Sequence, residues 1–224
     1  MRTPAITSFV FERPNDLTYL PGQYLQVIFD EKNRANTAIN KLLSFSSTPG
    51  EQYIEITKRS SGSEFCQRLL ALKPGDKVRM VGPKGDCVFC GEYKKIAFLS
   101  GGIGITPVVS IVGSIASKKL STDVCLLYCT RTERDIAFKD TLDCLAKQNP
   151  NIKVVYTVDD EQPADNRISF GMIDKNFVLK HVPDYQERMF FIFGPPAMVK
   201  AMETICREIG CPPDKIKAEN FAGY

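Results

Sequence analysis

The sequence holds one histidine, His181, in 224 residues. Hydrolytic triads and most catalytic metal sets draw on histidine, and no Ser–His or metal constellation competes for a site here. His181 ends a helical pattern, where positive charge is mildly favourable beside a C-terminus. An excess of one charge is also missing. Lys and Arg number 29 against 26 Asp and Glu, a net +3, which is too little for a nucleic-acid surface. No apolar run approaches the roughly 20 residues of a membrane-spanning helix. The opening MRTPAITSFVFERP lacks a sustained apolar stretch and does not read as a secretory signal. Internal repeats and low-complexity tracts are absent too, and the expectation is a cytoplasmic protein.

The cysteines also lack a framework. Cys66, Cys87, Cys90, Cys125, Cys129, Cys144, Cys206 and Cys211 mostly lie inside apolar runs, as buried free thiols of a reducing compartment do. Cys87-Val88-Phe89-Cys90 has C-x-x-C spacing, but neither a helix start nor a second ligand pair accompanies it, so strand packing is the better reading. Cys206 and Cys211 lack the spacing of an iron–sulfur run.

With 43% hydrophobic residues the chain can bury a sizeable core, in one large domain or two small ones. Segments 5–11, 24–30, 53–58, 77–82 and 87–90 are short and rich in Val, Ile, Phe and Tyr. Turn clusters such as Pro21-Gly22, Pro74-Gly75-Asp76 and Gly82-Pro83-Lys84-Gly85 separate them. Strands at that spacing predict a small antiparallel β-barrel, interrupted by a helix near 63–71. After Gly91-Glu92 the rhythm changes. Apolar runs at 95–99, 124–129, 153–158, 189–193 and 215–218 alternate with helical patterns near 106–118, 133–147, 171–180 and 196–209. That alternation predicts a doubly wound parallel α/β sheet. Thr132-Glu133-Arg134-Asp135 reads as a capping box for the second helix, and Gly210 as a helix stop. The expected domains are a barrel over 1–92 and an α/β domain over 93–224.

The chain is organised around KKIAFLSGGIGITPVVSIV, Lys94 to Val112. An apolar strand runs into Ser100-Gly101-Gly102-Ile103-Gly104, whose glycines let backbone N–H groups approach a ligand closely. Thr106-Pro107 then reads as an N-cap and first helical residue. Strand, glycine turn and helix start together suit a pyrophosphate. The common dinucleotide fingerprint is G-x-G-x-x-G, whereas this loop ends in proline, so a purely structural turn stays open.

Other motifs follow in order: Pro21-Gly22-Gln23-Tyr24, Lys41-Leu42-Leu43-Ser44-Phe45-Ser46-Ser47, Leu72-Lys73-Pro74-Gly75-Asp76, Gly82-Pro83-Lys84-Gly85, Phe193-Gly194-Pro195-Pro196-Ala197-Met198 and Glu219-Asn220-Phe221-Ala222-Gly223-Tyr224. Together with the glycine loop, this series resembles the ferredoxin–NADP⁺ reductase superfamily from about Phe9 to Tyr224. The resemblance implies a flavin-binding barrel joined to a nicotinamide-binding domain. It implies hydride transfer from NADPH or NADH to FAD (FMN being the lesser alternative), then electrons to a separate acceptor such as ferredoxin, another redox protein or a small molecule. The other reading is a non-catalytic flavin- or nucleotide-binding subunit of a larger complex.

By the same resemblance, Tyr24, Lys41, Leu43, Ser44, Phe45, Ser46, Thr57, Ser63, Phe65, Cys66 and the terminal Tyr224 serve the flavin. Gly102, Gly104, Thr106, Arg131, Phe193, Gly194 and Pro195 serve the nicotinamide nucleotide. Ser44, near the flavin atom that takes the hydride, and Glu219, a proton relay, are the expected catalytic residues. Departures from the family pattern stand at Lys41, for an arginine on the phosphates, and at Leu43, for a stacking aromatic. Cys66 replaces Ser or Thr, and Phe193 replaces a cysteine beside the nicotinamide, where it is expected to narrow the slot. Read from residue type alone, Ser44 equally suits a strand-end hydroxyl, Lys41 and Arg131 solvated charges, and Glu219 a surface carboxylate.

Overall fold

The computed structural model describes residues 1–221, so the expected flavin contact of Tyr224 lies outside the described residues. The N-terminal half is built from two small antiparallel sheets. Strand β1 (Ile6–Glu12) is followed by β2 (Tyr24–Ile28), β3 (Lys41–Ser44), β4 (Tyr53–Arg59), helix α1 (Glu64–Leu70) and β5 (Arg79–Lys84). β1 pairs with β4, and β2 lies between β3 and β5. A bridge between Phe45 and Ile56 joins the two sheets. Period-2 alternation sends Leu25, Val27, Leu43, Ile54 and Ile56 inward. Phe45 stacks on Tyr19 at 3.9 Å in the same core. α1 closes it with Phe65, Cys66 and Leu69, and the Ser63 side chain accepts the Cys66 amide at the helix N-cap.

Two strand expectations shift. Residues 87–90 run as a connection rather than a strand. Phe89 N–H donates to the Pro21 carbonyl at 3.3 Å, and Cys87 and Phe89 pack into the core of the second half instead. The strand expected over 77–82 runs over Arg79–Lys84.

The second half alternates β6 (Lys95–Gly101), α2 (Ile105–Ser117), β7 (Asp123–Thr130), α3 (Lys139–Gln148), β8 (Ile152–Val158), β9 (Ser169–Phe170), α4 (Lys175–His181), β10 (Met189–Gly194), α5 (Pro196–Glu208) and β11 (Ile216–Asn220). The strands form one six-stranded sheet in the order β11-β10-β6-β7-β8-β9, every neighbour parallel. Ile96, Phe98, Leu126 and Tyr128 face α2 and α3. Ala97, Leu99, Cys125 and Leu127 face α4 and α5. Both faces are covered, so the strands read as continuous apolar runs. No helix among the described residues is long and apolar enough to cross a membrane.

The capping box at Thr132 opens only a 3₁₀ turn over Glu133–Asp135. Thr132 Oγ1 donates to Asp135 Oδ2 at 3.1 Å, while Asp135 also pairs with Arg59 of the barrel at 3.0 Å. The chain then turns at Phe138, φ +60, before α3 begins at Lys139. The helix expected over 171–180 is shorter. Asp174 caps α4 by accepting the Phe177 amide at 2.7 Å, and 169–170 form an edge strand. Gly210, at φ +86, follows α5 in a Schellman-like stop, with Cys211 N–H bonded to Cys206 O at 2.9 Å.

The barrel meets the sheet through α2. Ser110 Oγ donates to the Ser47 carbonyl at 2.6 Å. One turn on, Gly113 faces Thr48, whose methyl would lie 2.7 Å from a Cβ there.

Candidate active site

Register brings one wall of a pocket together. Tyr24 pairs with Ser44 and Gln26 with Leu42 across β2 and β3, and Tyr24 pairs with Lys84 on β5. Opposed residues of antiparallel strands share a face. Glu219 and Asn220 of β11, with Phe221, form the facing wall of a cavity of about 470 Å³, and Lys41 and Asn40 complete its rim. Asn40, 2% exposed, shapes the loop behind it. Its Oδ1 accepts the Phe29 and Asp30 amides, both at 2.9 Å, and its Nδ2 donates to the Asp30 and Asn33 carbonyls.

Ser44 is 4% exposed, and its hydroxyl has no hydrogen-bond partner among the described residues. A buried hydroxyl left unpaired costs about 1–3 kcal/mol. It offers one donor and two lone pairs to whatever fills the pocket. A flat heteroaromatic ring with acceptor nitrogens fits that wall. Glu219 stands opposite. Burial, then the Asp86 charge, lift its pKa to about 7. Burial, then Glu219 and Asp86, raise Tyr24. The turn after β5 closes on the Tyr24 ring because Gly85, at φ +99, has no Cβ. One there would fall 2.7 Å from Tyr24 Cε1.

Five expected flavin residues face elsewhere. Leu43 is 3% exposed in the barrel core, and Leu42, one residue earlier and 42% exposed, takes the pocket wall. The signal was available, since Leu42 and Ser44 are two apart in one strand. Phe45 and Phe65 are core residues with no exposure. Ser46 and Thr57 bond each other at 2.8 Å. Ser46 also donates to Glu55 at 2.8 Å, which Arg2 meets at 2.6 Å. Ser46 and Glu55 line a different cavity, between the barrel and helices α2 and α3.

Lys41 lies close enough to Lys58 for their charges to interact. Burial lowers the Lys58 pKa, helped by the Lys41 charge. Burial raises the Cys66 thiol, but hydrogen bonds from Ser61 and Ser63 and the Lys58 charge outweigh it and hold the thiol below its ordinary range. Ser63 itself is exposed.

The glycine loop lies at the carboxyl ends of the parallel strands. β6 ends at Gly101, a 3₁₀ turn covers Gly102–Gly104, and α2 follows. Gly102 has φ +54, and a Cβ there would meet nothing within 4 Å among the described residues. Gly104 differs from expectation. A Cβ would overlap the Phe193 carbonyl oxygen and lie 2.8 Å from Gly194 Cα, so its smallness serves backbone packing, not ligand approach. Thr106 is inside α2, not at its cap; Gly104 takes that place. The Thr106 hydroxyl turns back to the Ile103 carbonyl at 3.1 Å.

Phe193 is 0% exposed and packs with Phe191 in the core facing α2. It does not border an open slot. Gly194 is buried and Pro195 exposed at the start of α5. Arg131 is exposed just beyond β7, where the Asp160 amide bonds its carbonyl at 3.0 Å. β10 links the two regions. Phe193 sits beside Glu219 and Gly194 beside Asn220 on β11, and Phe193 sits beside Ser100 on β6. Two strand spacings, roughly 10 Å, separate the pocket wall from the glycine loop.

The model of the oxidoreductase NAD-binding domain matches residues 98–204. NADH-cytochrome b5 reductase 1 of Aspergillus terreus is 27% identical over 92% of this chain and 73% of its own length. A flavohemoprotein of Pseudomonas putida is 25% identical over 96% of the chain but 55% of that relative, so the chain spans only about half of it. Among solved structures, the FAD/NAD-binding domain of nitric oxide dioxygenase from Vibrio cholerae aligns with TM-score 0.83 at 21% identity, over 99% of this chain and 94% of that one. A ferredoxin NADP⁺ reductase from Neisseria gonorrhoeae with bound FAD and NADP aligns at 0.82 and 18%, over 98% and 94%. The matched domain and the paired barrel and wound sheet together show that this chain carries an oxidoreductase NAD-binding domain over 98–204, set in the two-domain fold shared with FAD- and NAD(P)-binding reductases.

Proposed function

We propose that the protein is a reductase that receives a hydride from NADH into a flavin seated in the Ser44–Glu219 pocket and delivers electrons to a separate one-electron redox protein. The observation that carries this reading is the buried, unpartnered Ser44 hydroxyl facing a carboxylate with a pKa of about 7. A bound flavin supplies the redox chemistry, since it takes a hydride and releases electrons singly. The chain positions and shields. Ser44 offers a hydrogen bond to a ring nitrogen, Tyr24 and Leu42 exclude water, and Lys41 brings charge for a phosphate tail. Glu219 holds or releases a proton near neutrality.

NADH is favoured over NADPH by Asp159 and Asp160. Their amides bond the Thr130 and Arg131 carbonyls at 3.2 and 3.0 Å, which sets two acidic residues beside Arg131 and disfavours a 2′-phosphate. The Aspergillus relative is named for NADH and cytochrome b5. That name supports a separate redox protein as the acceptor.

The test is to load the protein with FAD and add NADH or NADPH without oxygen. Wild type bleaches, faster with NADH. Ser44→Ala keeps flavin and bleaches about fivefold more slowly, the effect of one lost hydrogen bond. A loaded protein that neither nucleotide reduces points instead to a flavin-binding subunit. Failure to take up FAD ends both readings.

A further inference from the structure

Tyr128 lies one residue inside the end of the β7 apolar core, at 0% exposure. Its hydroxyl donates to the Gly102 carbonyl at 2.9 Å, and the Ala137 backbone N–H lies close enough to act on the same oxygen. These partners belong to two different loops. One is the glycine turn. The other runs from Arg131 to Phe138 and is tied to the barrel by the Asp135–Arg59 pair.

We propose that Tyr128 is a positioning residue for the nicotinamide nucleotide, its hydroxyl fixing the Gly102–Ile103 peptide and joining the pyrophosphate loop to the adenosine-side loop. This rests on the nucleotide site described above. The argument is one of peptide geometry. In a trans peptide the C=O and the following N–H point in opposite directions. Tyr128 draws the Gly102 carbonyl inward, so the Ile103 N–H points the opposite way; beside it, a Cβ on Gly102 would meet nothing within 4 Å among the described residues. Glycine at positive φ has little conformational preference of its own, so this orientation must be imposed from outside. The Ile105 N–H supplies one bond to the same oxygen; Tyr128 supplies the other. Reversal of the peptide would present a carbonyl oxygen to a phosphate. Burial raises the Tyr128 pKa far above its ordinary value, so the hydroxyl stays a donor throughout the working pH range.

Tyr156 provides the control. Its ring lies 6.3 Å from Tyr128, but its hydroxyl bonds Asp143 Oδ1 at 2.7 Å and has no bond to the glycine turn among the described residues.

The experiment compares Tyr128→Phe, Tyr156→Phe and Gly102→Val in the flavin-loaded protein. Both phenylalanine variants keep the ring in the core. Tyr128→Phe is expected to raise the NADH Kd and KM about fivefold, as for one lost hydrogen bond. Flavin affinity and the rate of flavin reduction at saturating NADH stay at the wild-type level. Tyr156→Phe is expected to lower the melting temperature and leave NADH affinity unchanged. Equal NADH affinity in Tyr128→Phe and wild type, with Gly102→Val weakened, overturns the positioning role and leaves the site standing. Wild-type affinity in Gly102→Val as well overturns the site itself. An equal loss in both tyrosine variants also overturns the proposal, because it marks a general softening of the core.

Discussion

Replacing Gly104 with alanine puts a methyl carbon where no space exists. The added carbon would overlap the Phe193 carbonyl oxygen and lie 2.6 Å from the Phe193 carbonyl carbon and 2.8 Å from Gly194 Cα. All three are main-chain atoms of β10, held on both sides by β6 and β11, and no side-chain rotation relieves the overlap. Inserting a methyl into a packed interior costs about 1–3 kcal/mol, and a main-chain collision belongs at the upper end. Gly104 has φ −59, an ordinary helical value, so alanine suffers no backbone strain and regains at most about 1 kcal/mol of helix propensity. The net is about 2 kcal/mol, a fall in melting temperature of roughly 4–8 °C for a chain of this size. Gly113→Ala is the matched comparison. There the nearest atom is the Thr48 methyl at 2.7 Å, on a side chain that can turn away, and the propensity gain of about 1 kcal/mol makes the change nearly neutral. Calorimetry on both variants decides the matter. A Gly104→Ala protein that melts with wild type, or no lower than Gly113→Ala, refutes the packing argument.

Glu219→Gln should flatten the pH profile of stability. The folded pKa of about 7 lies above the ordinary 4.5, so the stabilisation is complete below about 4.5 and is lost as pH rises through about 7; parallel wild-type and variant melting curves across that window would contradict it. Arg59→Ala removes a half-exposed ion pair to Asp135 and should lower stability by only about 0.5–1 kcal/mol, with the difference shrinking in high salt; a salt-independent loss would assign Arg59 a packing role. Asn40→Ala strands four loop groups and should destabilise by about 2–3 kcal/mol, with faster amide exchange confined to residues 29–40; exchange unchanged there would deny Asn40 its scaffolding role.

The alternation of apolar runs and glycine turns made the barrel and wound sheet readable, because each strand's burial on one or both faces is written into its period. Of the candidate site, local geometry was legible: Ser44 stands at a strand end and Gly102 at an open turn, as the sequence suggests. Legibility failed where the partner is distant in sequence. Gly104 reads as a ligand-facing glycine, yet its neighbour is the β10 main chain some ninety residues on. Thr132-Glu133-Arg134-Asp135 has the residues of a capping box, but Asp135 is taken by Arg59 of the barrel. Phe138 then adopts φ +60, which nothing in a phenylalanine announces. Leu43 was assigned by analogy of motif, and strand alternation overrules it. Phe193, a departure in the motif, turns out to belong to the core it packs with.

Among the described residues β11 is the last strand, and it carries Glu219 to a wall whose other side is made by residues 24–44. During synthesis the barrel strands and five of the six parallel strands therefore emerge before this cavity has its second side. A nascent chain arrested short of Ile216 would hold most of its three hydrophobic cores and no enclosed pocket. By topology alone, the closing of this cavity waits on β11.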